Sequence, residues 1–309
     1  MKILKTLCAA GLAAVLAGSA TAQERISIGT GGTGGLFYVI GAGMAEIINQ
    51  NMPGTTARAE VTGASVENIR RVAAEQMTFG LSSSSTLYEA SVGEGPFEEA
   101  LPVAAMAYLY PAVLQIATTA DTGIKTMGDL AGKSISLGPP GSNAAVLAQR
   151  ILEAHGVFDA GNAQFLSYNE GTNALMNGTV DATVVLAGAP TAALIDLAAQ
   201  RDMRLIPVDR DKVGALIEQY PFYQLHEIKP GTYEGQDAPV SVINDPATLF
   251  THRDAPEETI YQITKTIFDN LDTLAEVHPQ AANIARETAP NTPIPLHPGA
   301  QRYFDEAGR

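Results

Sequence analysis

Cysteine and tryptophan are nearly missing from this chain: of 309 residues one is Cys and none is Trp. A single thiol excludes a disulfide framework and any metal site built on paired cysteines. Basic side chains are also scarce, with 19 Lys and Arg against 33 Asp and Glu and a formal charge of -14. Nucleic-acid binding draws on clustered Lys and Arg that release counterions; no such cluster occurs, so no nucleic-acid partner is expected. No apolar run reaches the roughly 20 residues that a membrane-spanning helix needs. Catalytic signatures are absent too. His155, His226, His252, His278 and His297 form no HExxH and no close pair, and there is no GxSxG elbow. The expectation is a folded chain that is not an enzyme and holds neither metal nor cofactor.

What is present starts with 46% hydrophobic residues, ample for two cores at roughly 150 residues per domain. Lys2 and Lys5, an apolar run over residues 7–17 and the small residues Ala20, Thr21 and Ala22 form a signal peptide over residues 1–22, with cleavage before Gln23. Cys8 lies inside it, and no small-residue box precedes it to invite lipidation. The expected product is an exported, periplasmic protein without disulfides, resting on its core alone.

Strand and helix signals then alternate, which predicts an α/β chain with largely parallel sheets. A strand over 25–29 leads through a glycine-rich loop, 31–35, into a helix with Val39, Ile40, Gly43, Met44, Ile47 and Ile48 on one face. A strand over 56–62 leads into a helix carrying Val66, Ile69 and Val72, and a third strand spans 77–81. The uncharged block 104–117 suits a strand running between lobes. Afterwards the pattern restarts: strand 134–137, turn 138–141, helix 143–155, strands 180–186 and 204–208 around a helix over 191–200. A stretch rich in Gly, Pro and Tyr, 220–237, precedes an extended segment, 240–250. One long helix is expected over 257–277, with Ile260, Ile263, Ile267, Leu271 and Leu274 aligned. Two α/β lobes follow, 23–112 with 242–309 and 113–241, joined by extended hinge segments with a ligand cleft between them.

In open α/β sheets ligands bind beyond the carboxyl ends of strands. Four loops rich in Gly, Ser or Thr fall there: 31–35, 63–65, 82–86 and 138–143. Each can bring unpaired N–H groups of a helix start to an anion, and each equally suits ordinary capping and turning. Gly29, Gly31 and Gly34 match GxGxxG, a weak sign of a dinucleotide in an exported chain, and a P-loop would end in GK[ST], which this one lacks. Tyr220, Tyr223 and Tyr233 either line a cleft or pin their loop. Arg58, Arg70 and Arg71 lie nearest the first loops; with Glu67 beside them, a solvated face of ion pairs fits Arg70 and Arg71 better than ligand binding.

The blocks Ile28-Gly29-Thr30-Gly31-Gly32-Thr33-Gly34-Gly35 with Phe37-Tyr38, and Gly63-Ala64-Ser65-Val66-Glu67-Asn68, resemble the opening of the TAXI family of TRAP transporter solute receptors. The resemblance continues through Asp129-Leu130-Ala131-Gly132-Lys133, Gly138-Pro139-Pro140-Gly141-Ser142, Gly231-Thr232-Tyr233-Glu234-Gly235-Gln236-Asp237 and Leu296-His297-Pro298-Gly299-Ala300. It implies a type II periplasmic binding fold and a monomeric receptor. Such a receptor takes a small organic acid or amino acid, such as glutamate, to a TRAP permease in the membrane. It places the ligand contacts at Gly32, Thr33, Gly34, Gly35, Tyr38, Ser65, Asn68, Ser83, Ser84, Gly141, Ser142, Asn143, Gly188 and Pro190. Two departures fall on those contacts: Ser83-Ser84-Ser85 stands where the family often has Gln-Ser-Asp, and Gly141-Ser142-Asn143-Ala144 where it often has Gly-Ser-Gly-Thr. The competing reading is an exported sensing subunit that presents its solute to a signalling receptor.

Overall fold

The computed structural model of the chain describes residues 24–220 and 222–308. The leader assigned to residues 1–22, with Cys8 and the cleavage point before Gln23, lies outside them.

In β1 (Glu24–Gly29) Ile26 and Ile28 are buried at alternate positions, as strand geometry demands of an apolar face. Next comes α1 (Leu36–Asn51), whose buried Leu36, Ile40, Met44, Ile47 and Ile48 recur at helical spacing. Each such side chain contributes about 1.5–3 kcal/mol by leaving water, and cutting one back to Ala costs about 2–5 kcal/mol. There follow β2 (Thr55–Glu60), α2 (Ser65–Ala73), β3 (Phe79–Ser83), α3 (Ser84–Val92) and β4 (Val103–Tyr110). At Pro111 and Ala112 the chain leaves for a second sheet.

That part comprises β5 (Val113–Thr119), β6 (Ile135–Ser136), α4 (Asn143–Ala154), β7 (Ala163–Gln164), α5 (Tyr168–Met176), β8 (Ala182–Ala187), α6 (Ala192–Gln200), β9 (Met203–Leu205), α7 (Arg210–Gln219), β10 (Gln224–Ile228) and β11 (Val240–Asn244). Asp245 and Pro246 carry the chain back to β12 (Ala247–His252), and α8 (Glu257–Phe268), α9 (Leu271–Val277) and α10 (Pro298–Ala307) complete it.

The first sheet has the order β2-β1-β3-β12-β4; the second runs β10-β11-β5-β8-β6-β7, with β9 beside β5. Pairing is parallel from β1 to β2 and β3, and from β6 to β7 and β8. It is antiparallel wherever β12, β5 or β11 takes part. The expectation of largely parallel sheets is therefore corrected to mixed ones. The strands that change sheets re-enter without a helical crossover, so nothing forces them parallel.

Both faces of each sheet are covered. Ile40 and Met44 of α1 share a core with Leu109, Tyr110 and Val113, and it continues to Val185 and Leu194 of the second sheet's unit. Val66, Ile69 and Leu87 cover the first sheet's other face, and Leu147, Ile151 and Val184 form a third cluster.

Other expectations change in detail. The block 104–117 is two strands in two sheets, broken where Pro111 has no N–H to give a ladder. The boundary expected at residue 242 would cut β11, all of which pairs in the second sheet; the return comes at Asp245 and Pro246. The long helix over 257–277 is two, interrupted at Asp269 and Asn270. The segment 82–86 is no loop: β3 runs through Ser83 and α3 begins at Ser84.

Candidate ligand-binding site

Between the two sheets lies a narrow cavity with about 20 Å³ of free space, room for little more than one water while the two units are closed. The β1-to-α1 loop forms one wall. Gly35 is the N-cap of α1; its N–H donates to Gly32 O at 2.9 Å, and no side chain caps the helix. Leu36 and Phe37, in the first turn, line the cavity. The facing wall is the start of α4. There Ser142 Oγ accepts from Ala145 N at 3.3 Å and donates to Pro139 O at 2.7 Å. Asn143 and Ala144, next in line, also border the space. First-turn N–H groups have no acceptor within their own helix, and each helix start carries about half a positive charge. One helix from each sheet thus presents its positive end to the same cavity, and no charged side chain lines it.

The other two junctions are filled from across the structure. Gly141 O accepts from Val66 N at 3.0 Å and Glu67 N at 3.2 Å, so a carbonyl from the second sheet's unit caps α2. Pro246 O takes Ser84 N at 2.8 Å and the Asp245 carboxylate takes Ser85 N at 3.1 Å, which caps α3. A side chain at Gly63 would meet Pro140 O at 2.3 Å, and one at Gly34 would meet Asn169 Oδ1 at 2.2 Å. Thr191 Oγ1 donates to Gly34 O at 3.4 Å. The two units are closed on one another around the cavity.

Of the residues expected at the site, Gly32, Gly35, Ser65, Ser83, Ser142 and Asn143 border this space. Gly34 and Gly141 lie beside it in the contacts just described. Thr33 is exposed, and Tyr38 is half-buried beside Phe37, which takes the place at the wall. Asn68 is spent on the scaffold: Nδ2 donates to Thr30 O at 2.7 Å and Leu81 O at 2.9 Å, while Oδ1 accepts from Thr62. Ser84 shares a 2.7 Å hydrogen bond with Thr248 and borders a different groove, with Tyr108 and Asn244. Gly188 packs under Leu36, whose Cδ2 would be 2.7 Å from an added side chain, and Pro190 follows a cis bond outside the cavity.

Tyr223 accepts from Arg150 at 2.7 Å, and Tyr233 donates to Gln115 at 2.6 Å and accepts from Thr191 N at 3.1 Å. Both pin loops, and neither borders the cavity. Arg71 pairs with Glu60 at 2.8 Å, Arg70 donates to Pro96 O, and Arg58 is exposed. None of the three reaches the site.

Sequence reasoning missed Tyr168, Leu186 and Asp245. Tyr168 closes one side of the cavity, donating to Leu186 O at 3.0 Å and accepting from Leu186 N at 3.2 Å; burial pushes its pKa up to about 12. No local signal marks it. Asp245 is fully buried and pushed up to about 6 by loss of solvent, against the pull of its donors from Ser85 and Asn143. A lone acid before proline in the apolar stretch 240–250 was a usable signal. Among the described residues no group of three or more His, Cys, Asp or Glu could hold a metal, and no helix is long and apolar enough to cross a membrane.

The fold is that of periplasmic substrate-binding proteins. Malate-bound MatC of Rhodopseudomonas palustris superposes with a TM-score of 0.56 at 14% identity, over 91% of this chain and 97% of that one. The histidine-bound substrate-binding protein of an ABC uptake transporter from Streptococcus pneumoniae gives 0.54 at 11%, over 84% and 94%. A protein described as a putative L-cystine ABC transporter from Listeria monocytogenes gives 0.52 at 15%, over 86% and 99%. The NMT1-like family model matches residues 28–308, nearly the whole described chain, and the chain belongs to that family.

Proposed function

We propose that the chain is the periplasmic solute receptor of a transport system, that it binds a small organic anion between its two units, and that it hands that anion to a membrane permease without transforming it. The observation that carries the reading is the pair of helix starts at opposite walls of a cavity without charged side chains: α1, which no side chain caps, and α4, whose cap Ser142 takes up Ala145 N alone. Two half-charges facing one site compensate an anion without a counter-ion side chain. Bound malate and histidine in proteins of the same fold suit a small ligand that carries a carboxylate. The motif blocks favour the TAXI branch and a TRAP permease as the partner, with a monomeric receptor. The leader over residues 1–22 would export it.

Each sheet with its helices would act as a lobe, turning about Pro111 and Ala112 on one strand and Asp245 and Pro246 on the other. A ligand that touches both lobes favours the closed form by its extra contacts there. A micromolar complex is worth about -8 kcal/mol, within reach of several charge-assisted hydrogen bonds of about 1.5–3 kcal/mol each. The test is a thermal-shift screen of the exported chain with dicarboxylates, hydroxy acids, keto acids and amino acids. A ligand at 100 times its dissociation constant adds about 2.7 kcal/mol to the folded state. If no organic acid raises the melting temperature, while uncharged solutes do, the anion reading is wrong.

A further inference from the structure

The hydrogen bonds around Asp245 decide which way the Asn143 amide faces. Asp245 sits where the chain returns to the first sheet, and its carboxylate collects three donors: Ser85 N, Ser85 Oγ, and Asn143 Nδ2 at 2.6 Å. Arg150, the cation on the same helix as Asn143, is committed to Glu89 at 2.7 Å. An ionised carboxylate only accepts, so Asn143 must offer it the NH₂ side of its amide. The planar group then turns Oδ1 the other way. That oxygen is buried and has no hydrogen-bond partner among the described residues, in a side chain that is 1% exposed and borders the cavity.

A buried carbonyl without a donor is unfavourable, and a ligand that brings a donor to it gains where its donor-free analogue does not. We infer that Asp245 is a positioning residue that makes Asn143 an acceptor. The cavity therefore selects organic acids carrying a hydroxyl or ammonium hydrogen beside the carboxylate, over simple acids and 2-keto acids. This rests on the anion-binding reading above and narrows it to hydroxy acids and amino acids. The discrimination resembles other sites built to hydrogen-bond a substrate OH or NH, which reject the analogue lacking it because a polar protein group is left unpaired.

The experiment is calorimetric titration of the full exported chain with matched probes: malate against succinate, and glutamate or 2-hydroxyglutarate against glutarate and 2-oxoglutarate. The donor-bearing member of at least one set should bind about 5- to 100-fold more tightly. In Asp245→Asn the new amide keeps its oxygen on Ser85 N and turns its NH₂ toward Asn143, which must then swing its own NH₂ toward the ligand. The preference should collapse or invert toward the keto acid. A merely structural role for Asp245 would weaken both members alike and leave their ratio unchanged, which would overturn the inference. Asn143→Ala is the second variant, should Asp245→Asn fail to fold, and it too should bring the ratio near one. Equal binding within every set by the unaltered chain overturns the inference while leaving anion capture intact. Binding of no probe at all overturns anion capture itself.

Discussion

Arg150 of α4 reaches Glu89 of α3 at 2.7 Å, so a helix belonging to the second sheet is tied by an ion pair to a helix belonging to the first. The carboxylate is 2% exposed and the guanidinium 15%. Arg150 also donates to Tyr223 at 2.7 Å and lies over the Tyr220 ring at 4.3 Å. Burial holds Glu89 above the usual carboxylate range even with this partner. The pair therefore offsets its own desolvation only in part, and its value lies in registering the two units.

Removing one partner leaves the other charge stranded. Arg150→Met should cost about 3–5 kcal/mol in denaturant unfolding, and the double change with Glu89→Gln should cost clearly less than the two single changes added together. Strict additivity would show that the contact carries no coupling.

Asp245 makes the stability depend on pH in a direction opposite to that of a salt-bridged acid. Its pKa is about 6 in the fold against an ordinary 3.8. Between those values the folded chain holds a proton that the unfolded chain has released, so unfolding free energy falls as pH rises. The contribution is fully present below the unfolded value and is lost as pH climbs through about 6. At about 1.4 kcal/mol per unit the whole loss is about 3 kcal/mol, and roughly 2.4 kcal/mol of it falls between pH 4 and pH 7. Asp245→Asn lacks this titration. The difference in unfolding free energy between the unaltered chain and the variant should shrink by that amount over the range, and a difference that grows with pH would contradict the assignment.

Gly63 tests closure. A side chain there would stand 2.3 Å from Pro140 O, and the glycine's backbone is one that other residues adopt. Gly63→Val should leave the fold intact and push the loops apart, at the expense of the bonds from Val66 N and Glu67 N to Gly141 O. Two such bonds at about 0.5–1.5 kcal/mol each imply roughly tenfold weaker binding of any ligand that needs the closed form. Small-angle scattering should report a larger radius of gyration without ligand. An unchanged radius and affinity would mean that this contact does not govern closure.

Much of the architecture was legible because helix and strand periods are local. The face of α1, the start of α4 after Ser142 and the buried alternation of β1 follow from residues a few positions apart. The breaks were less so: Pro111 and Pro246 divide apolar blocks that read as single strands, and the interruption at Asp269 and Asn270 divides one amphipathic pattern. Site residues divided in the same manner. Ser65, Ser83, Ser142 and Asn143 carried a local signal, whereas Tyr168 reaches the cavity only because α5 packs against β8.

By itself the sequence determined the α/β character, the scarcity of cationic side chains, and the places where helices begin beside strands. Only the tertiary structure decided which of those helix starts stay open. The caps of α2 and α3 come from Gly141, in the other sheet's unit, and from Asp245, 160 residues along the chain from the Ser85 it binds. An unpaired N–H is satisfied by whichever acceptor the fold brings within reach, and that choice has no trace in the local pattern.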